Sequence, residues 1–174
     1  MKSGLVSSFQ SERSFQSESK RSGDEFEDLV LSDLKERGFT EINKNVYISG
    51  TGCEVDFVAF GSSVEYVESK GGKAEEGKRP GAQRTDNVKK AIANGALIKA
   101  KYPDIYFVVY FSAKPIPNSS SAEMIDTALA SNIINEVRYI LPNTPESSQL
   151  DLFKAINKKY VSEDIWATQT SFEE

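Results

Sequence analysis

The chain has 174 residues, 39% of them apolar and 10% aromatic, with 21 Lys and Arg against 26 Asp and Glu for a formal net charge of −5. That is enough chain for one domain with a sizeable core and too little for two, and the acidic balance argues against a protein that coats nucleic acid without specificity. With no histidine and a single cysteine, a Ser-His-Asp triad, a Cys-His pair, an imidazole metal centre and an internal disulfide are all excluded.

Residues 1–22 hold a near-repeat, Ser8-Phe9-Gln10-Ser11-Glu12 and Ser14-Phe15-Gln16-Ser17-Glu18. Their Ser-rich, apolar-poor composition predicts a flexible tail, because too little surface is available for burial to offset ordering entropy. Ser22 followed by Glu25 forms a capping-box pattern, and Phe26, Leu29, Val30 and Leu34 recur at helical spacing before Gly38. These predict a first helix over 23–37. Three β-rich runs follow at about 42–48, 54–60 and 64–70, separated by Gly and Ser turns, and read as an antiparallel meander. Val88, Ala91, Ile92, Gly95 and Ile98 mark one face of a helix over 84–101. The apolar run Ile105 to Phe111 reads as a buried strand, and Ser120 with Glu123 caps a third helix carrying Ile125, Ala128, Leu129 and Ile133. A short strand at 137–141 and an amphipathic helix with Leu152, Phe153, Ile156 and Tyr160 complete an α-β-β-β-α-β-α-β-α order. The expectation is an α/β fold, a mixed sheet flanked by helices, with 23–174 as one domain divided into a core at 23–111 and an extension at 112–174. No apolar run approaches a membrane span and no signal-peptide pattern is present, so a cytoplasmic location is expected. Cys53 is expected to serve as a small buried apolar residue.

Charge is distributed unevenly. Between residues 70 and 90 seven basic side chains face three acidic ones, a local net of +4, while the rest of the chain carries −9. Lys73, Lys78, Arg79, Arg84, Lys89 and Lys90 are therefore candidate DNA contacts, a solvated charged face being the alternative.

Without histidine, catalysis must rest on carboxylates and amines, and hard carboxylate oxygens select Mg²⁺, with Mn²⁺ as a substitute. If Gly61-Ser62-Ser63 is the turn between the second and third strands, paired residue numbers sum to 124. Asp56 is then expected opposite Glu68 and Glu54 opposite Lys70, all four on one sheet face. Opposed carboxylates about 4.5–5.5 Å apart at Cβ repel unless a cation lies between them. A metal so held polarises a phosphate and lowers the pKa of a bound water, and Lys70 orients that water and offsets transition-state charge.

Gly23-Asp24-Glu25-Phe26-Glu27-Asp28-Leu29-Val30 on a helix, Glu54-Val55-Asp56-Phe57-Val58, then Val67-Glu68-Ser69-Lys70, together resemble the PD-(D/E)XK nuclease superfamily of restriction endonucleases and Holliday-junction resolvases. The resemblance spans about 23–111 and implies a restriction-endonuclease-like αβββαβ core, metal ligation by Asp56 and Glu68, and a catalytic lysine at Lys70. It further implies that Glu27 joins the metal site, directly or through water, and that Gln83 is a polar active-site residue; for Glu27 a helix-dipole role is the alternative. Val55 stands where the family has Pro. The implied activity is Mg²⁺-dependent DNA cleavage by a restriction-type, sequence-specific endonuclease, expected to act on double-stranded DNA as a homodimer. A junction resolvase and a non-catalytic nuclease-fold module that binds DNA or protein are the alternatives.

Overall fold

The computed structural model describes residues 23–72 and 79–141. The 1–22 tail, the Ser22 cap, Lys73, Lys78 and the helix expected near 152–160 lie outside the described residues.

Helix α1 covers residues 23–36. It ends where Gly38 takes a positive φ of 90° and Phe39 N–H reaches back to the Leu34 carbonyl, the left-handed stop that glycine permits. Strands β1 (Glu41–Ile48), β2 (Cys53–Phe60) and β3 (Val64–Lys70) form the meander. A 3₁₀ turn at Gly81–Gln83 leads into α2 (Thr85–Lys101), followed by β4 (Tyr106–Phe111), α3 (Ser120–Ala130) and β5 (Glu136–Tyr139). The cap of α3 is Ser119 rather than Ser120: the Ser119 hydroxyl accepts from Ala122 N–H, and Glu123 N–H donates to the Ser119 carbonyl.

The result is an α/β fold on a five-stranded mixed sheet of order β1-β2-β3-β4-β5, antiparallel through β3 and parallel from β3 to β5. Two apolar layers cover it. Phe26, Val30 and Leu34 of α1 pack with Phe57, Ala59, Val67, Val108 and Tyr110 on one face. Val88, Ala91 and Ile98 of α2 and Ile125 and Ala128 of α3 pack with Val58, Phe107, Val109 and Phe111 on the other. The alternation of β4 between the two layers is the period-2 signature of a strand buried on both sides. Gly95 brings α2 down onto the sheet, since a Cβ there would lie 2.8 Å from the Ile133 carbonyl oxygen and 3.0 Å from the Phe107 ring. Among the described residues no helix is long and apolar enough to cross a membrane.

One polar network lies within this packing. Arg138 of β5 grips Glu65 of β3 through two bonds of 2.7 and 2.8 Å and reaches Glu136 at 2.6 and 2.8 Å. Its Nη1 also donates to the Tyr110 hydroxyl, which donates in turn to Asp33 of α1 at 2.7 Å. Burial pushes the Tyr110 hydroxyl well above its ordinary range, so it stays protonated as the donor to Asp33. Removing one partner of such a buried pair strands the other charge. Arg138→Ala is therefore expected to cost about 3–5 kcal/mol in urea denaturation. Arg37→Ala, which loses only a half-exposed bridge to Asp33, is expected to cost under about 1 kcal/mol. Equal losses would contradict this account.

Candidate functional site

The β2–β3 ladder follows the expected register from Phe60↔Val64 to Phe57↔Val67 and ends there. Asp56 and Glu68 are not ladder partners. A break lies at the same level one strand over. On β1 and β2 the pairing runs from Glu41↔Phe60 to Ile48↔Cys53 with one step, Asn45 and Asp56, left unpaired. Asn45 sits at φ 52°, a left-handed conformation that few residues other than Gly and Asn tolerate.

Both strands exchange faces at that step. Ile42, Phe57 and Ala59 pack under α1, whereas Val46, Ile48, Cys53 and Val55 pack on the α2 side. The expected single face carrying Glu54, Asp56, Glu68 and Lys70 therefore does not form, because strict alternation fails at Asp56. Glu54 is exposed, and Lys70 pairs with Glu68 instead. Cys53 is buried.

Beyond Phe57 the strands part, and Asp56 closes the gap. Its Oδ2 accepts from Ser69 N–H at 2.6 Å and from Ser69 Oγ at 2.7 Å. A buried backbone N–H that has lost its ladder acceptor needs another, and a carboxylate supplies a charge-assisted one. By alternation Ser69 faces α1, like Val67, and Glu68 faces α2. Asp56 is thus fastened to β3 at Ser69, the neighbour of Glu68, and its charge acts on both Glu68 and Glu27.

Glu68 is 3% exposed. Its Oε1 takes both the Lys70 ammonium and the side-chain amide of Asn94 on α2, the latter at 3.2 Å. Its Oε2 is buried without a hydrogen-bond partner. Burial, aided by the negative charge of Asp56 and opposed by Lys70, holds the Glu68 carboxyl above the usual range. Lys70 Nζ also donates to the Ser69 carbonyl at 3.1 Å.

Glu27, in the first turns of α1, is half-buried and likewise raised, by burial and then by Asp56, with Lys44 opposing. Lys44 lies over the Phe57 ring and 3.7 Å from Asp28. The start of α1 comes close because residue 71 is glycine: a Cβ there would lie 2.5 Å from Phe26 Cβ. Ser112 braces the exit of β3 by bonding the Lys70 and Gly72 carbonyls.

The charge of Asp56 thus acts on both Glu27 and Glu68. Among the described residues no three or more acidic, histidine or cysteine side chains are gathered tightly enough to hold an ion.

Gln83 is buried at 8% exposure in the 3₁₀ turn, and its Oε1 lacks a partner. Arg84 and Lys89 are exposed at the start of α2, Arg79 is exposed before it, and Lys90 is exposed and bridges Asp86 at 3.0 Å. Sequence reasoning missed Asn94 and Ser69. Asn94, a polar residue between the apolar positions Ala91 and Gly95, was a signal for the first. A groove of about 360 Å³ lined by Tyr47, Val58, Phe60, Tyr66, Tyr102 and Ile105 includes none of the candidate site residues. Comparisons with protein-family models, with curated proteins and with solved structures give no match.

The raised carboxyl of Glu68 has a stability consequence. Its charged form costs more in the folded chain than in the unfolded one, so stability is lost as pH rises from the ordinary carboxylate range through the raised value. In chelator, Glu68→Gln is expected to raise the thermal midpoint at neutral pH, the gain shrinking as pH falls and the wild-type carboxyl protonates. A lower midpoint at neutral pH would show that the charged form is well satisfied by Lys70 and Asn94.

Proposed function

We propose that this chain is a metal-dependent DNA endonuclease of the PD-(D/E)XK kind, most simply a restriction-type enzyme. The observation that carries the reading is Glu68: a carboxylate buried at the end of β3, bonded on one oxygen only, with an ammonium two residues on. A buried oxygen without a partner costs free energy unless a ligand satisfies it. The neighbouring donors are carboxylate oxygens, the hard ligands that suit a hard cation. The α-β-β-β-α-β order of residues 23–111 also supports a restriction-endonuclease-like core.

In this reading Glu68 and Asp56 would hold Mg²⁺ or Mn²⁺, with Glu27 joining directly or through water; without the ion the three are not gathered into a tight cluster. When bound, the ion supplies Lewis acidity toward a phosphate oxygen and a water of lowered pKa. The chain's own residues do the rest. Ser69 fixes Asp56 at the cleft, so that its position costs no reorganisation when substrate arrives. Lys70 places its ammonium beside the Glu68 carboxylate, where it orients a nucleophilic water and offsets negative charge on the phosphate. Gln83 serves as a further polar group of the site. Arg79, Arg84, Lys89 and Lys90, with Lys73 and Lys78, supply cations to the DNA backbone, and a homodimer would cut both strands.

A second reading, a nuclease-fold module that binds DNA without cutting, is favoured by one observation: Asp56 Oδ2 is committed to Ser69, and among the described residues no tight cluster of acidic side chains is formed. Plasmid incubation with Mg²⁺ or EDTA separates the two. The enzyme reading expects cutting with Mg²⁺ alone, reduced about 10²–10³-fold in Lys70→Ala while DNA binding persists; intact plasmid throughout favours the module. Discrete fragments from a large DNA indicate sequence recognition, and cutting at branched DNA alone indicates a resolvase.

The basic segment makes a separate prediction. Each phosphate contact contributes about 0.9 to the slope of log affinity against log salt. Arg84→Ala combined with Lys89→Ala is expected to flatten that slope by up to about 2, and an unchanged slope would place the DNA on another surface.

A further inference from the structure

The amide of Asn94 is the contact that leaves Glu68 with one satisfied and one unsatisfied oxygen. A carboxylate oxygen only accepts, so Asn94 must present its NH₂ to it. Asn94 Nδ2 and Lys70 Nζ converge on the same atom, Oε1, and Oε2 stays buried and unpartnered. Lys70 alone could not fix this division. An ammonium on a flexible four-carbon stem bridges either oxygen with similar ease, whereas the amide projects from a helix whose distance to the sheet is set. That distance depends on the next residue, Gly95, which admits close contact with Phe107 and the Ile133 carbonyl. The stripe Val88, Ala91, Gly95 and Ile98 seats α2 on the sheet, and Asn94 beside it is half-buried.

We propose that Asn94 is a positioning residue: its amide pins Glu68 Oε1 and thereby turns Oε2 toward a divalent cation. This rests on the reading of Glu68 as a metal ligand given above. Groups that hold a ligand from behind typically account for 10–100-fold in metal affinity. The role differs from fold support, because removing the amide leaves the carboxylate in place, merely free to rotate.

The test is calorimetric titration of Mn²⁺ into the full chain, wild type against Asn94→Leu, Asn94→Ala and Glu68→Gln, with thermal melting of each. Asn94→Leu keeps the side-chain shape without a donor and serves where the smaller substitution fails to fold. Mn²⁺ affinity is expected to fall about 10–100-fold in the Asn94 variants and to be lost in Glu68→Gln. Raised Mn²⁺ should restore DNA cutting by Asn94→Leu, a rescue that a purely structural role would not give. Wild-type affinity in the Asn94 variants, with binding lost in Glu68→Gln, overturns the role of Asn94 and leaves the nuclease reading standing. Wild-type affinity in Glu68→Gln overturns both.

Discussion

A carboxylate with one oxygen bonded and the other bare, sealed near the end of the central strand of the sheet, is the constraint around which this site is organised. Burial makes the charge of Glu68 expensive, and Lys70 and Asn94 repay part of that cost at Oε1 only. The neighbouring negative charge of Asp56 raises the cost further. Strain of this sort persists where the surrounding structure over-determines it. Here the surroundings are β4, which pairs with β3 from Glu65 to Lys70, and α2, seated on the sheet through Gly95.

The second organising element is the parting of β2 from β3. A sheet of continuous ladders would have no cleft at Asp56. At the left-handed residue Asn45, β1 and β2 exchange faces together and keep their mutual register, and the β2–β3 ladder ends at the same level. The orphaned Ser69 N–H then recruits the Asp56 carboxylate. The step at Asn45 and Asp56 thus coincides with the end of the β2–β3 ladder, and α1 approaches β3 over the bare backbone of Gly71. At the far side of the sheet, the Arg138–Glu65–Tyr110–Asp33 network ties β3, β4, β5 and α1 together, so the strand carrying Glu68 is held from both ends.

Much of this was legible in the sequence because it rests on short-range rules. The periodicity of Phe26, Val30 and Leu34, the stop at Gly38, and the alternation of β2 and β3 about a Gly-Ser-Ser turn fixed three elements and one register. The α3 cap fell one residue early, since Ser119 and Ser120 are chemically alike and only backbone conformation separates them. What escaped was long-range. Alternation predicted that Glu54 and Asp56 would share a face with Glu68 and Lys70, but nothing local to β2 announces that Asn45 on another strand will break that pattern. Asn94 lies 26 residues from Glu68, and the Arg138–Glu65 pair spans 73; such contacts depend on strand order, which composition and spacing do not specify. The basic residues near α2 were found by charge counting, and their exposure fits that reading without assigning them a partner.

The central claim is that Glu68 Oε2 exists to meet a cation at the mouth of the β2–β3 cleft. Anomalous diffraction at the manganese edge from crystals grown with Mn²⁺ tests it most directly. The account predicts a peak within coordination distance of Glu68 Oε2, about 2.0–2.6 Å as hard cations require, with an oxygen of Asp56 in the same coordination sphere. A peak held elsewhere, or none at Glu68 at saturating Mn²⁺, would contradict it.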